Sequence, residues 1–315
     1  MAQSGGIHGE SKIEQGGAIT GSSCPAYTLE SPTISSLPIL IAVPHAGREY
    51  PSDVIAAMRD PGFASLRLED RFVDVLAREV AKQCGAALLV AHAPRAMLDL
   101  NRAQDDVDWS MIKGRAALLP RHSHANRRAR SGLGLVPRRL PGTGEIWKSP
   151  LPRAELDARI AGIHRPYHAA ISQSLERIRD EWGAALLVDL HSMPPLRSRG
   201  PEQPAAEIVV GDRFGASCDS TISLAALKSI ERSGRPVAHN RPYSGGFVLD
   251  RHALPRRGLH AIQLEICRAT YLDAALVEPS RGLLPLAKYL ATLVRELGEA
   301  TARLASGNHF AQAAE

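Results

Sequence analysis

The sequence of 315 residues is poor in aromatic residues and cysteine, and it has no long apolar run. Phe, Trp and Tyr make up 4% of it, so aromatic platforms for nucleic-acid bases are scarce and we expect no nucleic-acid partner. No apolar stretch approaches the roughly 20 residues that cross a bilayer, so we expect no membrane span. The four cysteines form no C-x-x-C pair, which favours free thiols in a reducing, cytoplasmic setting.

The N-terminal residues are rich in Gly, Ser and Gln and lack the apolar segment of a signal peptide. We therefore expect a flexible tail over residues 1–30, followed by a single catalytic α/β domain over 31–308. Within it, residues 105–150 show no period and are rich in Gly, Pro and Arg, which predicts a basic lid or substrate loop. A disordered basic insertion is the alternative.

The net charge is +5, and much of the excess lies in that loop. Its arginines include Arg121, Arg127, Arg128, Arg130, Arg138 and Arg139. Such a cluster either binds an anionic polymer or membrane surface, or attracts a small acidic substrate. The scarcity of aromatic residues favours the small acidic substrate.

Apolar runs alternate with amphipathic segments along most of the chain, which predicts a three-layer α/β fold with a mostly parallel or mixed central sheet and helices on both faces. The predicted strands are 37–43, 86–91, 96–100, 184–190, 207–210, 247–249 and 260–266. The predicted helices are 70–84, 151–181 with a break or kink at Pro166, 217–233 and 281–305.

Polar side chains stand at the ends of several apolar runs, namely His45, Asp99, Asp189 with His191, and Glu265. Charged groups at buried strand ends cost several kcal/mol unless they are paired or bind a metal. Ligands usually bind at the carboxyl edge of such a sheet, so these side chains are expected to share one site.

His45 and His191 are candidate metal ligands, and a hydrolytic metal site needs a third protein ligand. Glu49, Glu69 and Asp70 are the candidate carboxylates, although Asp70 also suits a helix N-terminus. The spacing matches no short metal motif.

Three further carboxylates have expected roles around these ligands. Asp189 lies two residues before His191, on the same face of a strand, where it either binds the metal or orients the histidine; Asp99 is expected in a similar supporting place. Glu265 is the candidate general base, and a structural salt bridge to Arg251 or Arg268 is its alternative.

The candidate substrate-binding residues are anion-binding or turn-forming, and they are Arg95, Asn101, Arg102, Arg251, Tyr243, Gly245 and Gly246. An arginine grips a carboxylate with two parallel hydrogen bonds, and the glycines let backbone N–H groups approach a substrate. Ser192 and Ser217 lie outside any G-x-S-x-G turn, which argues against a serine hydrolase.

Eight separated blocks of the sequence together resemble the N-formylglutamate amidohydrolase family. They are VPHAGREYP (43–51), LEDRFVDVL (68–76), RAMLDLNRAQDD (95–106), RPYHAAI (165–171), LLVDLHSM (186–193), FGASCDS (214–220), NRPYSGGFVLDRH (240–252) and AIQLEICRATYL (261–272). The resemblance implies a phosphorylase/hydrolase-like fold similar to that of zinc carboxypeptidases, and hydrolysis of an N-formyl amino acid in histidine breakdown. The Arg71–Phe72 pair and the basic lid depart from the family pattern.

The resemblance also implies roles for single residues. His45, Asp70 and His191 would hold one divalent metal ion, Asn101 and Arg102 would clamp the substrate carboxylate, and Glu265 would act as the base. In the expected mechanism, Arg102 or Arg251 stabilises the oxyanion together with the metal. Zinc suits imidazole and carboxylate ligands, without excluding iron, manganese or cobalt.

The expected protein is therefore a metal-dependent amidohydrolase that acts on a small acidic N-acyl amino acid, as a monomer or small homo-oligomer. Two alternatives stay open. One is a carboxypeptidase- or aspartoacylase-type amidase on the same scaffold, and the other is a non-catalytic module that binds an anion with the arginine-rich loop.

Overall fold

A mixed eight-stranded sheet forms the centre of the computed structural model, which describes residues 11–33, 35–113, 129, 131–140, 144–198, 200 and 204–312. The strands are β1 (Ser11–Gly16), β2 (Tyr27–Pro32), β3 (Ile39–Val43), β4 (Ala87–Ala91), β5 (Ile112–Lys113), β6 (Arg139–Leu140), β7 (Gly144–Glu145), β8 (Leu151–Pro152), β9 (Ala185–Met193), β10 (Ile208–Gly211), β11 (Val237–His239) and β12 (Leu259–Cys267). The order in the sheet is β1-β2-β4-β3-β9-β12-β10-β11, and β5–β8 and β6–β7 form two small ladders.

Eight α-helices accompany the sheet in the described part of the chain. They are α1 (Ser52–Ala57), α2 (Pro61–Leu68), α3 (Val73–Cys84), α4 (Arg153–Arg159), α5 (Arg165–Trp182), α6 (Ser220–Arg232), α7 (Phe247–His252) and α8 (Leu283–Gln312). A π-helical turn, Ile160–His164, joins α4 to α5. Pro166 lies in the first turn of α5, so the predicted break in the long helix takes the form of a wider turn rather than a gap.

The central strands β4, β3, β9 and β12 run parallel. Each is buried along its whole length, as is usual for strands of a parallel sheet with both faces covered. One face packs with α5 in a core that includes Leu40, Leu187 and Ile171. The other face packs with α3, α6 and α8. The predicted three-layer arrangement with a mixed sheet is thus confirmed.

Two predicted strands are wrong. Residues 96–100 form turns, because the Asp99 side chain accepts the backbone N–H of Asn101 and bends the chain there. The segment 247–249 begins α7, since the Asn101 side chain accepts the N–H of Val248 and caps the first turn. Both corrections involve side-chain bonds that apolar periodicity does not reveal.

The expected flexible tail over residues 1–30 is also wrong for residues 11–30. β1 and β2 form an antiparallel hairpin, and β2 pairs with β4, so this stretch extends the main sheet. The sequence pattern that would predict this hairpin is weak, because β1 is a largely exposed edge strand with one apolar residue, Ile13. Residues 1–10 lie outside the described part.

The carboxyl ends of β9 and β12 bring polar groups to one place. Along one face of β9, the apolar residues Ala185 and Leu187 are followed by the polar residues Asp189 and His191. Ala185 and Leu187 pack in the apolar core. In the parallel register, Gln263 lies beside Asp189 and Glu265 beside His191. Strand alternation therefore points all four polar side chains to the same face of the sheet.

No helix in the described ranges is long and apolar enough to cross a bilayer. The four cysteines are free, as the sequence predicts, and three of them are buried.

Candidate metal centre and active site

Three predicted ligands, His45, Asp70 and His191, converge at the carboxyl edge of the sheet. One potential ligand atom from each residue lies within 4.8 Å of the others. Asp70 Oδ2 lies 3.0 Å from Nδ1 of His191 and 3.6 Å from Nδ1 of His45. All three side chains are buried, so only a few per cent of their surface meets solvent.

The fold brings these residues together through neighbouring elements. His45 follows β3, and β3 pairs directly with β9, which carries His191. Asp70 follows α2, and its backbone N–H donates to the carbonyl oxygen of His45 at 2.9 Å. This bond fixes the α2–α3 connection against the end of β3, so that the Asp70 carboxylate reaches both imidazoles.

The outer nitrogen of each imidazole bonds to a carboxylate of its own. Nε2 of His45 lies 2.7 Å from Oδ1 of Asp99, and Nε2 of His191 lies 2.9 Å from Oδ2 of Asp189. Each Nε2 therefore donates to its carboxylate, and Nδ1 of each ring faces Asp70, where its lone pair would bind a metal ion once that nitrogen carries no proton. Carboxylate partners of this kind orient the histidines of metal sites.

The residues present fit a divalent metal ion. Nδ1 of His45 is buried and has no hydrogen-bond partner, which is costly unless another group binds it. Two imidazole nitrogens and one carboxylate oxygen are a donor set that hydrolytic metal sites use. Among the described residues, His45, Asp70 and His191 are the group whose atoms come close enough together.

The charges of the centre depend on each other. Burial raises the pKa of Asp70, but the hydrogen bond with His191 and the neighbouring His45 imidazole outweigh burial and hold the pKa well below its usual range. Burial lowers the pKa of His191, whereas Asp189 and Asp70 raise it well above the usual value. Acidic side chains thus lie around the two histidines, and the same arrangement would suit a bound cation.

The other two carboxylates proposed as ligands lie elsewhere. Glu49 accepts a hydrogen bond from Ser22 Oγ at 2.6 Å and lines a separate cavity. Glu69 is buried against Arg71, whose Nη1 lies 3.1 Å from its Oε2. The geometry therefore selects Asp70 from the three candidates.

A cavity of about 310 Å³ opens beside the metal-ligand group. Its lining includes six of the predicted substrate-binding residues, Arg95, Asn101, Arg102, Tyr243, Gly245 and Gly246. Gly246 lies so close to Asn101 that a Cβ atom would fall 2.5 Å from the Asn101 Oδ1 atom, so a side chain there would displace the amide. Within the described chain, Arg251 is not part of this lining; it is exposed, with its guanidinium 6.0 Å from the Phe247 ring.

The backbone of the Leu100–Arg102 segment is fixed by side chains at three successive carbonyl groups. His168 Nε2 donates to the Leu100 carbonyl at 3.0 Å, and Arg102 Nη1 donates to that of Asn101 at 2.7 Å. His164 Nε2 donates to the Arg102 carbonyl at 2.9 Å. The residues expected to clamp a carboxylate are thus held in place before any substrate binds.

His252 supports the Leu100–Arg102 segment indirectly, through its hydrogen bond to His168. Its Nε2 donates to Nδ1 of His168 at 2.9 Å, and its Nδ1 faces Ser172 Oγ at 3.3 Å. Burial, the largest influence, lowers the pKa of His252 to about 3 and that of His164 to about 4. The network therefore works with neutral histidines.

Glu265 lies at the floor of the cavity beside His191. Its Oε1 accepts a hydrogen bond from Gln263 Nε2 at 2.8 Å. Burial raises the pKa of Glu265 to about 7, although His191 opposes the rise. A carboxyl group with such a pKa can both accept and return a proton near neutral pH.

Arg268 and Arg67 line the cavity without having been predicted. Nη2 of Arg268 lies 3.3 Å from Asp70 Oδ1, and its Nε donates to Ser192 Oγ at 3.1 Å. Arg268 comes directly after the buried strand that carries Glu265, and this position is the sequence feature that could have identified it. The sequence analysis names Arg268 only as a salt-bridge partner of Glu265. Arg67 lies in α2, which apolar periodicity did not identify.

The described part of the predicted lid contributes little charge to the cavity. Leu133 lines it, whereas Arg138 pairs with Asp108 and Glu145, and Arg139 pairs with Glu145. Four arginines of the basic cluster lie outside the described residues, namely Arg121, Arg127, Arg128 and Arg130. The role of that segment as a lid stays a prediction.

Comparisons with known proteins agree with the resemblance in the sequence. The family model of N-formylglutamate amidohydrolase matches residues 37–272. An N-formylglutamate deformylase of Pseudomonas aeruginosa is 30% identical over 270 residues, which cover 84% of this chain and 92% of that protein. A Pseudomonas putida protein of the same name is 30% identical over 244 residues, covering 75% and 82%.

A solved structure supports the same assignment. The crystal structure of an N-formylglutamate amidohydrolase from Ralstonia eutropha superposes with a TM-score of 0.73 at 31% identity, covering 89% of this chain and 97% of that one. The fold described above is therefore shared along almost the whole length of that relative. The chain belongs to the N-formylglutamate amidohydrolase family.

Proposed function

We propose that this protein is a metal-dependent amidohydrolase that removes the formyl group from N-formyl-L-glutamate or a related N-formyl amino acid, giving formate and the free amino acid. The named activity of its relatives supports this substrate class. The convergence of His45, Asp70 and His191 beside a cavity lined by arginines and Glu265 supports the chemistry. That convergence is the observation on which the proposal chiefly rests.

In this proposal, His45, Asp70 and His191 would hold one divalent ion, with zinc the best match to the ligands. The ion would supply a Lewis acid that makes water more acidic and polarises the formyl carbonyl. Asp99 and Asp189 keep the two histidines in the tautomer that presents Nδ1 to the centre. Arg268 holds the second oxygen of Asp70.

Glu265 moves the proton in this mechanism. Its carboxylate accepts a proton from the attacking water, the water oxygen bonds to the formyl carbon, and the C–N bond then breaks. The same carboxyl group returns the proton to the leaving nitrogen, so that the free amine departs and formate remains. The hydrogen bond from Gln263 fixes the carboxylate beside His191, where the water must lie.

Arginine side chains bind the developing and permanent negative charges. Asn101 and Arg102 bind the α-carboxylate of the substrate, and the bonds around residues 100–102 hold them ready. Arg95, fixed by Asp99 at 2.9 Å, and Arg102 stabilise the oxyanion. Arg251 is given no role in this proposal, since it does not line the cavity formed by the described residues.

Formate release by the metal-loaded protein tests the proposal. Purified protein would be incubated with N-formyl-L-glutamate, and with N-acetyl-L-aspartate and a C-terminal dipeptide as substrates of the two related amidase types. We expect formate from the formyl compound and little hydrolysis of the others. Preferred hydrolysis of the acetyl or peptide substrate would replace the proposal with an acylase or carboxypeptidase.

A further inference from the structure

The substrate cavity is lined by four arginines, and three of them are bound to other groups of the protein. Arg95 pairs with Asp99, and Arg268 contacts Asp70 at 3.3 Å. Arg102 donates to the carbonyl groups of Asn101 and Leu133. The fourth, Arg67, differs from them.

Arg67 has no ion pair or hydrogen bond among the described residues. It lies in the last turn of α2, is exposed, and lines the cavity. Its guanidinium carbon lies 5.1 Å from the centroid of the Phe63 ring. A ring face holds a guanidinium without neutralising its charge, so the hydrogen-bonding edges of Arg67 stay available to a ligand.

The ring of His45 separates two sides of the metal centre. Its Nε2 bonds to Asp99, and its Nδ1 faces Asp70. Because these nitrogens point in different directions, the two carboxylates lie on different sides of the ring. Asn101 donates its backbone N–H to Asp99, so the carboxylate clamp belongs to the Asp99 side.

Arg67 belongs to the Asp70 side. Arg268 contacts Asp70 and also donates to the backbone carbonyls of Leu66 and Glu69, which flank Arg67 in the chain. The end of α2 is thereby tied to Asp70. The cavity consequently offers cationic groups on both sides of the centre.

A substrate with two carboxylates matches this arrangement. With its α-carboxylate at Asn101 and Arg102 and its amide between the metal ligands and Glu265, its side chain would extend toward Asp70. A carboxylate on that side chain would need a cationic partner; Arg268 already contacts Asp70, whereas Arg67 lines the cavity with no ion pair or hydrogen bond among the described residues. We propose that Arg67 determines specificity by binding the side-chain carboxylate of an acidic N-formyl amino acid.

This inference rests on the proposed function, and a pair of nearly isosteric substrates tests it. N-formyl-L-glutamate and N-formyl-L-glutamine differ only in a carboxylate and an amide at the side-chain end. The values of kcat/KM for both would be measured with the wild type, Arg67→Gln and Arg67→Lys. Arg177→Gln, which removes an exposed arginine of α5 outside this cavity, is the matched control.

We expect the wild type to favour the glutamate compound by about 10-fold or more, as for a charge-assisted bidentate contact. In Arg67→Gln the ratio falls toward one, chiefly through a raised KM for the glutamate compound, and Arg67→Lys retains part of the preference. Arg177→Gln keeps the wild-type ratio. Competitive inhibition by free L-glutamate should weaken in Arg67→Gln by a similar factor.

Two results would overturn the inference. An unchanged ratio in Arg67→Gln, with formate still released, removes Arg67 as the specificity residue and leaves the proposed function intact. Absence of formate from every N-formyl amino acid, in wild-type protein that binds its metal, refutes the proposed function and the role of Arg67 with it.

Discussion

Asp189 Oδ2 lies 2.9 Å from Nε2 of His191, the imidazole nitrogen turned away from Asp70. The two residues are separated by one position on β9, so both side chains share one face of the strand. Asp99 repeats this relationship with His45 from a separate loop. Each candidate ligand histidine thus has a buried carboxylate that fixes its tautomer.

Replacement of Asp189 tests this relationship. Asp189→Asn removes the charge that favours the Nε2–H tautomer, so we expect metal affinity to fall by about 10- to 100-fold while the fold persists. Titration with a competing chelator measures the affinity, and circular dichroism checks the fold. Asp180→Asn, at an exposed carboxylate of α5, is the control. Equal affinity of the wild type and Asp189→Asn would show that Asp189 does not orient the ligand.

The role of Glu265 predicts a different result. Glu265→Gln keeps the shape and the hydrogen-bonding capacity of the side chain but cannot accept the proton of water. We expect an unchanged metal content and a kcat lower by about 10²- to 10⁴-fold. Metal analysis and formate release on the same preparation check both, with Glu299→Gln on the exposed face of α8 as the control. A kcat near that of the wild type would exclude Glu265 as the base.

The clamp residue Arg102 should affect substrate binding more than metal binding. Arg102→Leu removes the guanidinium that faces the cavity, so we expect kcat/KM for N-formyl-L-glutamate to fall by about 100-fold. Both a raised KM and a lowered kcat contribute, because the proposal gives Arg102 contacts to the α-carboxylate and to the oxyanion. Because the proposal places Arg102 at the α-carboxylate, which both substrates share, kcat/KM for N-formyl-L-glutamine should fall by a similar factor. A loss confined to the glutamate substrate would instead place Arg102 at the side-chain carboxylate.

The buried histidines behind the clamp predict a loss of stability in acid. The pKa of His252 is lowered to about 3 and that of His164 to about 4, against an ordinary value of 6.5. Below pH 6.5 the unfolded chain therefore binds protons that the native protein does not. The free energy of unfolding falls by about 1.4 kcal/mol per pH unit for each such histidine, until the pH reaches its native pKa.

Urea unfolding of metal-free protein at pH 7.5, 6 and 5 measures this loss. His252→Leu should be less stable than the wild type at pH 7.5, because Nδ1 of His168 loses its donor. Its stability should nevertheless fall less steeply between pH 6.5 and 5, by about 1.4 kcal/mol per unit. Parallel pH dependences for the two proteins would show that His252 is not held neutral by the fold.

The sequence predicts where β3 and β9 end, because each contains a continuous apolar run that is followed by polar residues. It also places His45 and His191, which lie on or next to those strands, and Glu265 on β12. The choice of Asp70 over Glu69 required the structure, because adjacent residues differ only in the direction their side chains take. Arg67 and Arg268 could not be predicted as cavity residues, since long-range contacts between α2 and the end of β12 bring them there.

Residues 96–100 show where apolar periodicity fails to predict the structure of this chain. Ala96, Met97, Leu98 and Leu100 are buried, as in a strand. Asp99 instead bonds to His45, Arg95 and the Asn101 N–H, so a turn satisfies its charge where a strand would not. At this position, the polar contacts of Asp99 outweigh the strand preference of its apolar neighbours.

The central claim is that His45, Asp70 and His191 hold a metal that formate release requires. Metal content and formate release from N-formyl-L-glutamate would be measured together on wild-type protein, before and after chelation and after zinc is restored, with His45→Ala in parallel. The account predicts about one metal ion per wild-type chain, activity that is lost on chelation and regained with zinc, and neither metal nor activity in His45→Ala. Full formate release by protein freed of metal would contradict it.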